Sequence, residues 1–192
     1  MKKIPSLYLR DPNDMAYVTR EVNPLCRWVI ENSTNCIATV KHDGTCVMLD
    51  SDGRWWARHQ VRPDKIAPAN FVPVETDPVT GKTQGWIPME QSQYRKFHAE
   101  AATRHDDAPY FRAGTYELIG PRIGRNPHGT EMHSLLPHGC TPLAYVPTGY
   151  DDLAEYLRGQ QETWRYLEGI VWHSDDGRMA KIKLRDFPKV AP

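Results

Sequence analysis

The chain has 192 residues, and its 24 Lys plus Arg balance 24 Asp plus Glu, so the formal net charge is zero. That length suits one domain, at most one with a small appendage, and buries a core without covalent staples. Neutral charge excludes a protein that wraps long duplex nucleic acid through a strongly basic surface, and leaves local contact with an end or a short tract.

Residues 5–24 are mixed and punctuated by Pro5, Pro12 and Pro24. Leu25 to Ile30 reads as a short helix after Pro24, or as a strand. Cys36-Ile37-Ala38-Thr39-Val40-Lys41 is β-prone, His42-Asp43-Gly44 is a turn signal, and Thr45 to Leu49 reads as the returning strand. Ser51-Asp52-Gly53 makes a second turn into Arg54 to Arg58, so an antiparallel meander is expected. Residues 62–88 are dense in Pro and Gly and read as a long irregular loop. Met89 to about Ala102 follows as a helix with Tyr94, Phe97 and Ala101 on one face. Thr115 to Ile119 is a strand ended by Gly120-Pro121, with strand-like His133–Leu136 and Pro142–Val146 beyond it. Asp151 or Asp152 starts a helix carrying Leu153, Tyr156 and Leu157. A hairpin closes the chain, Gly169 to His173 and Met179 to Leu184 about the turn Asp175-Asp176-Gly177. The sum is an α+β fold with mainly antiparallel sheet and flanking helices.

Other patterns are excluded. Cys26, Cys36, Cys46 and Cys140 lack paired spacing, which argues against a disulfide framework or zinc site and for reduced thiols in the cytoplasm. No apolar run approaches membrane-spanning length, and no signal-like stretch follows Met1. His128, His133 and His138 are evenly spaced, but no Cys or acid joins them at ligand spacing. No phosphate-loop or Gly-x-Ser-x-Gly pattern occurs.

The chemistry-bearing candidates are lysines and acids. Lys181 and Lys183, two apart in a strand, share one face, where two cations repel unless an anion such as a phosphate lies between them. Lys41 precedes a turn. Its amine becomes a nucleophile when neighbouring cations and desolvation lower its pKa, and Lys181, Lys183 and Arg58 are the candidates to do so. Glu117 and Glu168 lie in apolar surroundings, where an unpaired carboxylate is costly. With Asp43 they form a candidate site for Mg²⁺ held through waters. Taken singly, each of these residues also reads as an ordinary strand-end lysine, solvated face or structural ion pair.

Lys41-His42-Asp43-Gly44, Glu117 in Tyr-Glu-Leu-Ile-Gly-Pro, Glu168-Gly169-Ile170-Val171 and Lys181-Ile182-Lys183 resemble, in order, the motifs of the covalent nucleotidyltransferases. That superfamily holds ATP-dependent DNA and RNA ligases and GTP-dependent mRNA capping enzymes. The resemblance runs from about residue 21 to 186. Within it the chain looks most like the compact RNA ligases of animals and bacteriophages, through Arg20–Pro24, Lys41–Cys46, Trp56-Ala57-Arg58, Asp77–Gly81, Gly85–Pro88, Tyr116–Pro121 and Pro137-His138-Gly139.

The resemblance implies an adenylyltransferase core, the ATP-grasp-like nucleotidyltransferase of DNA and RNA ligases, over residues 1–192 as one domain. Only nine residues follow Lys183, so the expectation is no OB-fold or other C-terminal accessory domain. Lys41 would attack the ATP α-phosphate and become lysyl-AMP. Thr39, Val40 and Lys41 would line the nucleotide with Arg58 near the ribose or phosphate, Glu117 on a ribose hydroxyl and His133 at the adenine. Glu168 and Asp43, with Glu117, would hold the water shell of Mg²⁺ or Mn²⁺, and Lys181 and Lys183 would engage the α-phosphate. AMP would then pass to an RNA 5′-phosphate, and a 3′-hydroxyl would displace it, the work of a cytoplasmic monomer without membrane contact. Two other readings share parts of this pattern: a GTP-dependent capping enzyme, and a catalytically silent module that binds RNA ends.

Overall fold

The computed structural model describes residues 2–31, 36–103 and 111–188. Two compact units share the chain: residues 43–138 with the first few residues form one, and residues 4–42 with 139 onward form the other. The architecture is α+β with mostly antiparallel sheet and few helices, as the sequence predicts.

The first unit is built on a six-stranded antiparallel sheet. Its strands are β4 (Thr45–Leu49), β5 (Trp55–Val61), β6 (Val72–Thr76), β7 (Thr83–Pro88), β8 (Gly114–Ile119) and β9 (Ser134–Pro137), in the order β6-β7-β5-β4-β8-β9. Alternation decides the faces. Val47, Leu49, Ala57, Ile87, Tyr116, Leu118 and Leu135 point one way into a core closed by Met89, Ile123 and Ala101 of α2 (Arg95–Thr103). The intervening residues, Cys46, Arg58, Thr115 and Glu117 among them, fall on the other face.

Residues 62–88 are therefore not an irregular loop. They hold β6 and β7, and the Pro and Gly content has local causes. Pro73 sits in the edge strand β6, where a missing N–H costs least. Gly85 in β7 lets the Val72 carbonyl and Phe71 ring approach within 2.5 Å of where a Cβ would stand. The Asp77 carboxylate caps the connecting turn by accepting from the Val79 and Thr80 N–H groups at 3.0 Å.

The second unit contains β1 (Tyr8–Arg10) and β2 (Val18–Val22), which the mixed composition of residues 5–24 concealed. It also contains α1 (Trp28–Glu31) after a 3₁₀ turn at Pro24–Cys26, which resolves the helix-or-strand ambiguity there. Its main sheet is β3 (Cys36–His42), β10 (Leu167–Ser174) and β11 (Met179–Lys183), in the order β11-β10-β3. Ala38, Val40, Ile170, Trp172, Ala180 and Ile182 form one face of it. They pack against Leu153, Ala154 and Leu157 of α3 (Tyr150–Thr163), with Leu7, Tyr8 and Phe187. Asp151 and Asp152 in the first turn of α3 suit the positive end of its dipole.

The predicted β3–β4 hairpin does not form. β3 pairs with β10, and β4 pairs with β5 and β8. Gly44 anchors the departing chain in the first unit, because a Cβ there would lie 2.4 Å from the Leu118 carbonyl oxygen. Residues 142–146 are not a strand either. They run along the free edge of β3 through one bridge, Thr39 with Pro142, and a bond from the Leu143 N–H to the Ala38 carbonyl at 2.8 Å. The closing β10–β11 hairpin stands as expected.

Candidate active site

In the second unit, register places the lysines. Gly169 faces Lys41 on one side and Lys183 on the other, and Val171 likewise faces Thr39 and Lys181. Directly opposed residues share a face, so Thr39, Lys41, Val171, Lys181 and Lys183 lie together, away from the core. Gly169 is required between the two lysines. A Cβ on it would lie 2.0 Å from the Ile182 carbonyl oxygen.

Glu168 reaches this face through a bulge. Two steps on β10, from Leu167 to Gly169, match one step on β3, from His42 to Lys41. A regular pleat would send Glu168 to the same side as buried Ile170 and Trp172. The extra residue inverts the alternation, so that Leu167 enters the core and Glu168 turns to the lysines. Its carboxylate is 9% exposed and accepts from Lys41 Nζ, Lys183 Nζ and, at 3.3 Å, Arg185 Nη2. Burial alone would raise the Glu168 pKa, but Lys41 and Lys183 outweigh it and hold the carboxyl below its usual range.

The pKa of Lys181 is depressed. Burial first, then the charges of Lys183 and Lys41, bring it from 10.5 to about 8. Its strand is fixed on the outer side by backbone bonds, Lys181 N–H to the Pro5 carbonyl at 2.9 Å and Leu7 N–H to the Lys181 carbonyl at 2.8 Å. Asp186, 3% exposed, ties the end of β11 by accepting from the Lys183 N–H at 3.0 Å and from Arg10 at 2.9 Å. Thr39 is buried, donates to the Val171 carbonyl at 3.2 Å and meets His173 Nε2 at 3.1 Å. Val40 packs in the core, so only its backbone borders the polar face.

The first unit carries the remaining candidates. Glu117 lies opposite Cys46 on β4 and is 8% exposed. Its Oε2 meets His138 Nε2 at 2.7 Å, and His138 Nδ1 meets Thr115 Oγ1 at 2.8 Å. Burial, then the Glu117 charge, push the Cys46 thiol up to about 12, with Arg58 opposing, so this thiol stays protonated. Arg58 also donates to Gln84 Oε1 at 3.4 Å. Asp43 is exposed at the start of the unit, and its charge and that of Glu117 act on His128, whose pKa burial nonetheless lowers.

His133 is enclosed. Phe97 stacks on its ring at 4.7 Å, and the hydrogen-bearing side of Gly120 lies against it, so that a Cβ there would fall 2.3 Å from its Cδ2. Nδ1 meets Glu100 at 2.8 Å and the Arg122 N–H reaches Nε2 at 3.4 Å. Only 4% exposed and stacked on Phe97 of α2, His133 packs α2 against the sheet. Among the described residues no three His, Cys, Asp or Glu side chains gather where they could hold a metal ion. Glu168 is engaged with lysines in its unit, and Glu117 with His138 in the other. Sequence reasoning missed the roles of His138, Thr115, Asp186 and His173. Thr115, Asp186 and His173 are lone polar residues without a spacing signal, and the even spacing of His138 with His128 and His133 did not point to Glu117.

Sequence comparison supports the motif reading. The family model described as RNA ligase 1 matches residues 108–188, which take in Glu117, His138, Glu168, Lys181 and Lys183 but not Lys41. RNA ligase 1 of Rattus norvegicus is 26% identical over 216 residues, covering 77% of this chain and 66% of the rat protein. RNA ligase 1 of Pongo abelii is 27% identical over 155 residues, 62% of this chain and 47% of the relative. The protein of that name from Danio rerio is 28% identical over 156 residues, 67% of this chain and 45% of the relative. The chain spans less than two thirds of the length of these relatives. Over these stretches the chain is similar to RNA ligase 1.

Proposed function

We propose that the chain is an ATP-dependent RNA ligase that acts through a lysyl-AMP intermediate on Lys41. The observation that carries this reading is the single polar face on which Lys41, Lys181 and Lys183 surround Glu168. Three cations about one carboxylate leave a net positive site, which suits an anionic phosphate. Lys41 gives up a proton, its nitrogen bonds to the α-phosphorus, and the bond to the bridging oxygen breaks as pyrophosphate leaves. Lys181 and Lys183 steady the charge on the phosphoryl oxygens. The AMP then moves to an RNA 5′-phosphate, and the RNA 3′-hydroxyl displaces it to form the phosphodiester. Mg²⁺ or Mn²⁺ belongs to this proposal as the companion of the nucleotide's phosphates.

The test is incubation with α-labelled ATP and Mg²⁺. Label is expected on the wild-type protein and not on Lys41→Ala, and the labelled protein should seal RNA carrying a 5′-phosphate and a 3′-hydroxyl. Absence of label, or label that persists in Lys41→Ala, overturns the proposal. Label from GTP in preference to ATP would point to capping chemistry instead.

A further inference from the structure

Arg185 follows Lys183 by two residues, in the 3₁₀ turn Leu184–Asp186 that closes β11. The turn is fixed on both sides. Leu184 packs against the core of the second unit, and Phe187, 3% exposed, belongs to that core. Buried Asp186 accepts from the Lys183 N–H and from Arg10, and Arg10 also donates to the Ala16 carbonyl at 3.0 Å. The Arg185 backbone therefore stands on a rigid base, while its side chain is 73% exposed.

The guanidinium reaches the lysine face. Glu168 Oε1 takes both Lys183 Nζ and, at 3.3 Å, Arg185 Nη2, and Oε2 takes Lys41 Nζ. Arg185 and Lys41 thus hold different oxygens of one carboxylate. The Arg185 bond is longer than the roughly 2.8 Å of a charge-assisted N–H···O bond, and it shares its acceptor. An exposed ion pair contributes little, so the guanidinium can leave Glu168 at small cost. Its planar fork fits two phosphate oxygens at once, as an ammonium does not. Lys41, Lys181, Lys183 and Arg185 exceed in charge what Glu168 and a single phosphoryl group neutralise, so the face can hold a second phosphate. All of these residues belong to the second unit.

In phosphoryl transfer the entering and leaving groups stand in line across the phosphorus. When Lys41 attacks the α-phosphorus, pyrophosphate leaves from the side opposite its nitrogen. When an RNA 5′-phosphate oxygen bonds to that phosphorus, the bond to Lys41 breaks and the nitrogen takes back its electron pair and a proton. The RNA phosphate therefore enters where pyrophosphate left.

We propose that Arg185 is a further phosphate-binding residue of the lysine face, and that it takes the phosphate opposite Lys41: the β-phosphate of ATP as Lys41 is loaded, and the RNA 5′-phosphate as it is unloaded. The inference rests on the ligase reading above for its two ligands. The exposed guanidinium on a rigid turn, loosely held by Glu168, carries it.

Three measurements compare wild type with Arg185→Ala. Inorganic pyrophosphate, titrated calorimetrically without ATP, should bind Arg185→Ala about tenfold more weakly, the loss of one charge-assisted contact. Arg185→Lys should recover part of this. Release of label from lysyl-AMP protein should need about tenfold more pyrophosphate in Arg185→Ala, and single-turnover transfer of label to 5′-phosphorylated RNA about tenfold more RNA. Equal pyrophosphate affinity in the two proteins overturns the role of Arg185. Weaker pyrophosphate binding with RNA transfer unchanged overturns the shared position and assigns Arg185 to ATP alone. A wild type that binds pyrophosphate through Arg185 yet takes no label from ATP supports the phosphate site and overturns the ligase reading, a distinct result.

Discussion

Glu168→Gln removes one charge and almost no volume, so it isolates what the carboxylate does. In the wild type it is 9% exposed and holds Lys41 and Lys183, themselves 21% and 16% exposed. Removing one partner of a buried ion pair costs about 3–5 kcal/mol when the other charge is left uncompensated. Here the lysines keep some contact with water and the glutamine oxygen still accepts one bond, which lowers the expected loss to about 2 kcal/mol. For a unit of roughly a hundred residues that is a fall in Tm on the order of 10 °C. The pH dependence separates charge from shape. The folded-state pKa of Glu168 lies below its usual 4.5, so its contribution is complete above that value and disappears as pH falls through the folded value. Thermal melts followed by circular dichroism should therefore show a wide gap between wild type and Glu168→Gln at pH 7 that closes towards pH 3. A gap of the same size at both pH values, or none at pH 7, would refute the claim that the carboxylate holds the lysine face together.

Two further outcomes are expected. Lys181, brought down to about 8, loses its charge as pH rises through that value, so KM for ATP in the labelling reaction should climb several-fold between pH 7 and 9. Lys181→Arg, charged throughout, should flatten the climb, and a level wild-type profile would contradict the role given to Lys181. His98 is 6% exposed, edge-on to Trp55 at 4.5 Å, and burial lowers its pKa from 6.5. Unfolded His98 takes up a proton first as pH falls below 6.5, so wild-type Tm should drop from pH 7 to pH 5 more steeply than that of His98→Leu. Equal slopes for the two proteins would show that His98 is not the group responsible.

Local pattern carried the parts of this fold whose pairing is local. The β10–β11 hairpin was legible because two β-prone runs, Gly169 to His173 and Met179 to Leu184, flank the turn Asp175-Asp176-Gly177. The same reasoning failed at Gly44, where an equally good turn signal joins strands of different sheets. Pairing of β3 with β10 is a choice among distant partners, and no residue near position 44 records it. Gly85 and Pro73 suggested loop because a glycine needed for close approach looks, in sequence, like one needed for a turn. The lysines and acids of the candidate site were legible as an ordered set. The orientation of Glu168 was not, because it depends on one extra residue in a strand pairing.

The division of the chain bears on its synthesis. The first unit is essentially one continuous stretch, residues 43–138, and it interrupts the second. Its sheet has all six strands once residue 137 has been made. β3 is made early and then waits, because both β10 and the edge segment at 141–143 come after that stretch. Domains fold as they emerge, so one unit has its full sequence while Lys41 still lacks Glu168. A ribosome-bound chain stalled anywhere before residue 167 therefore carries Lys41 on a strand with no β10 beside it. The lysine face comes into being only once β10 and β11, residues 167–183, have been made.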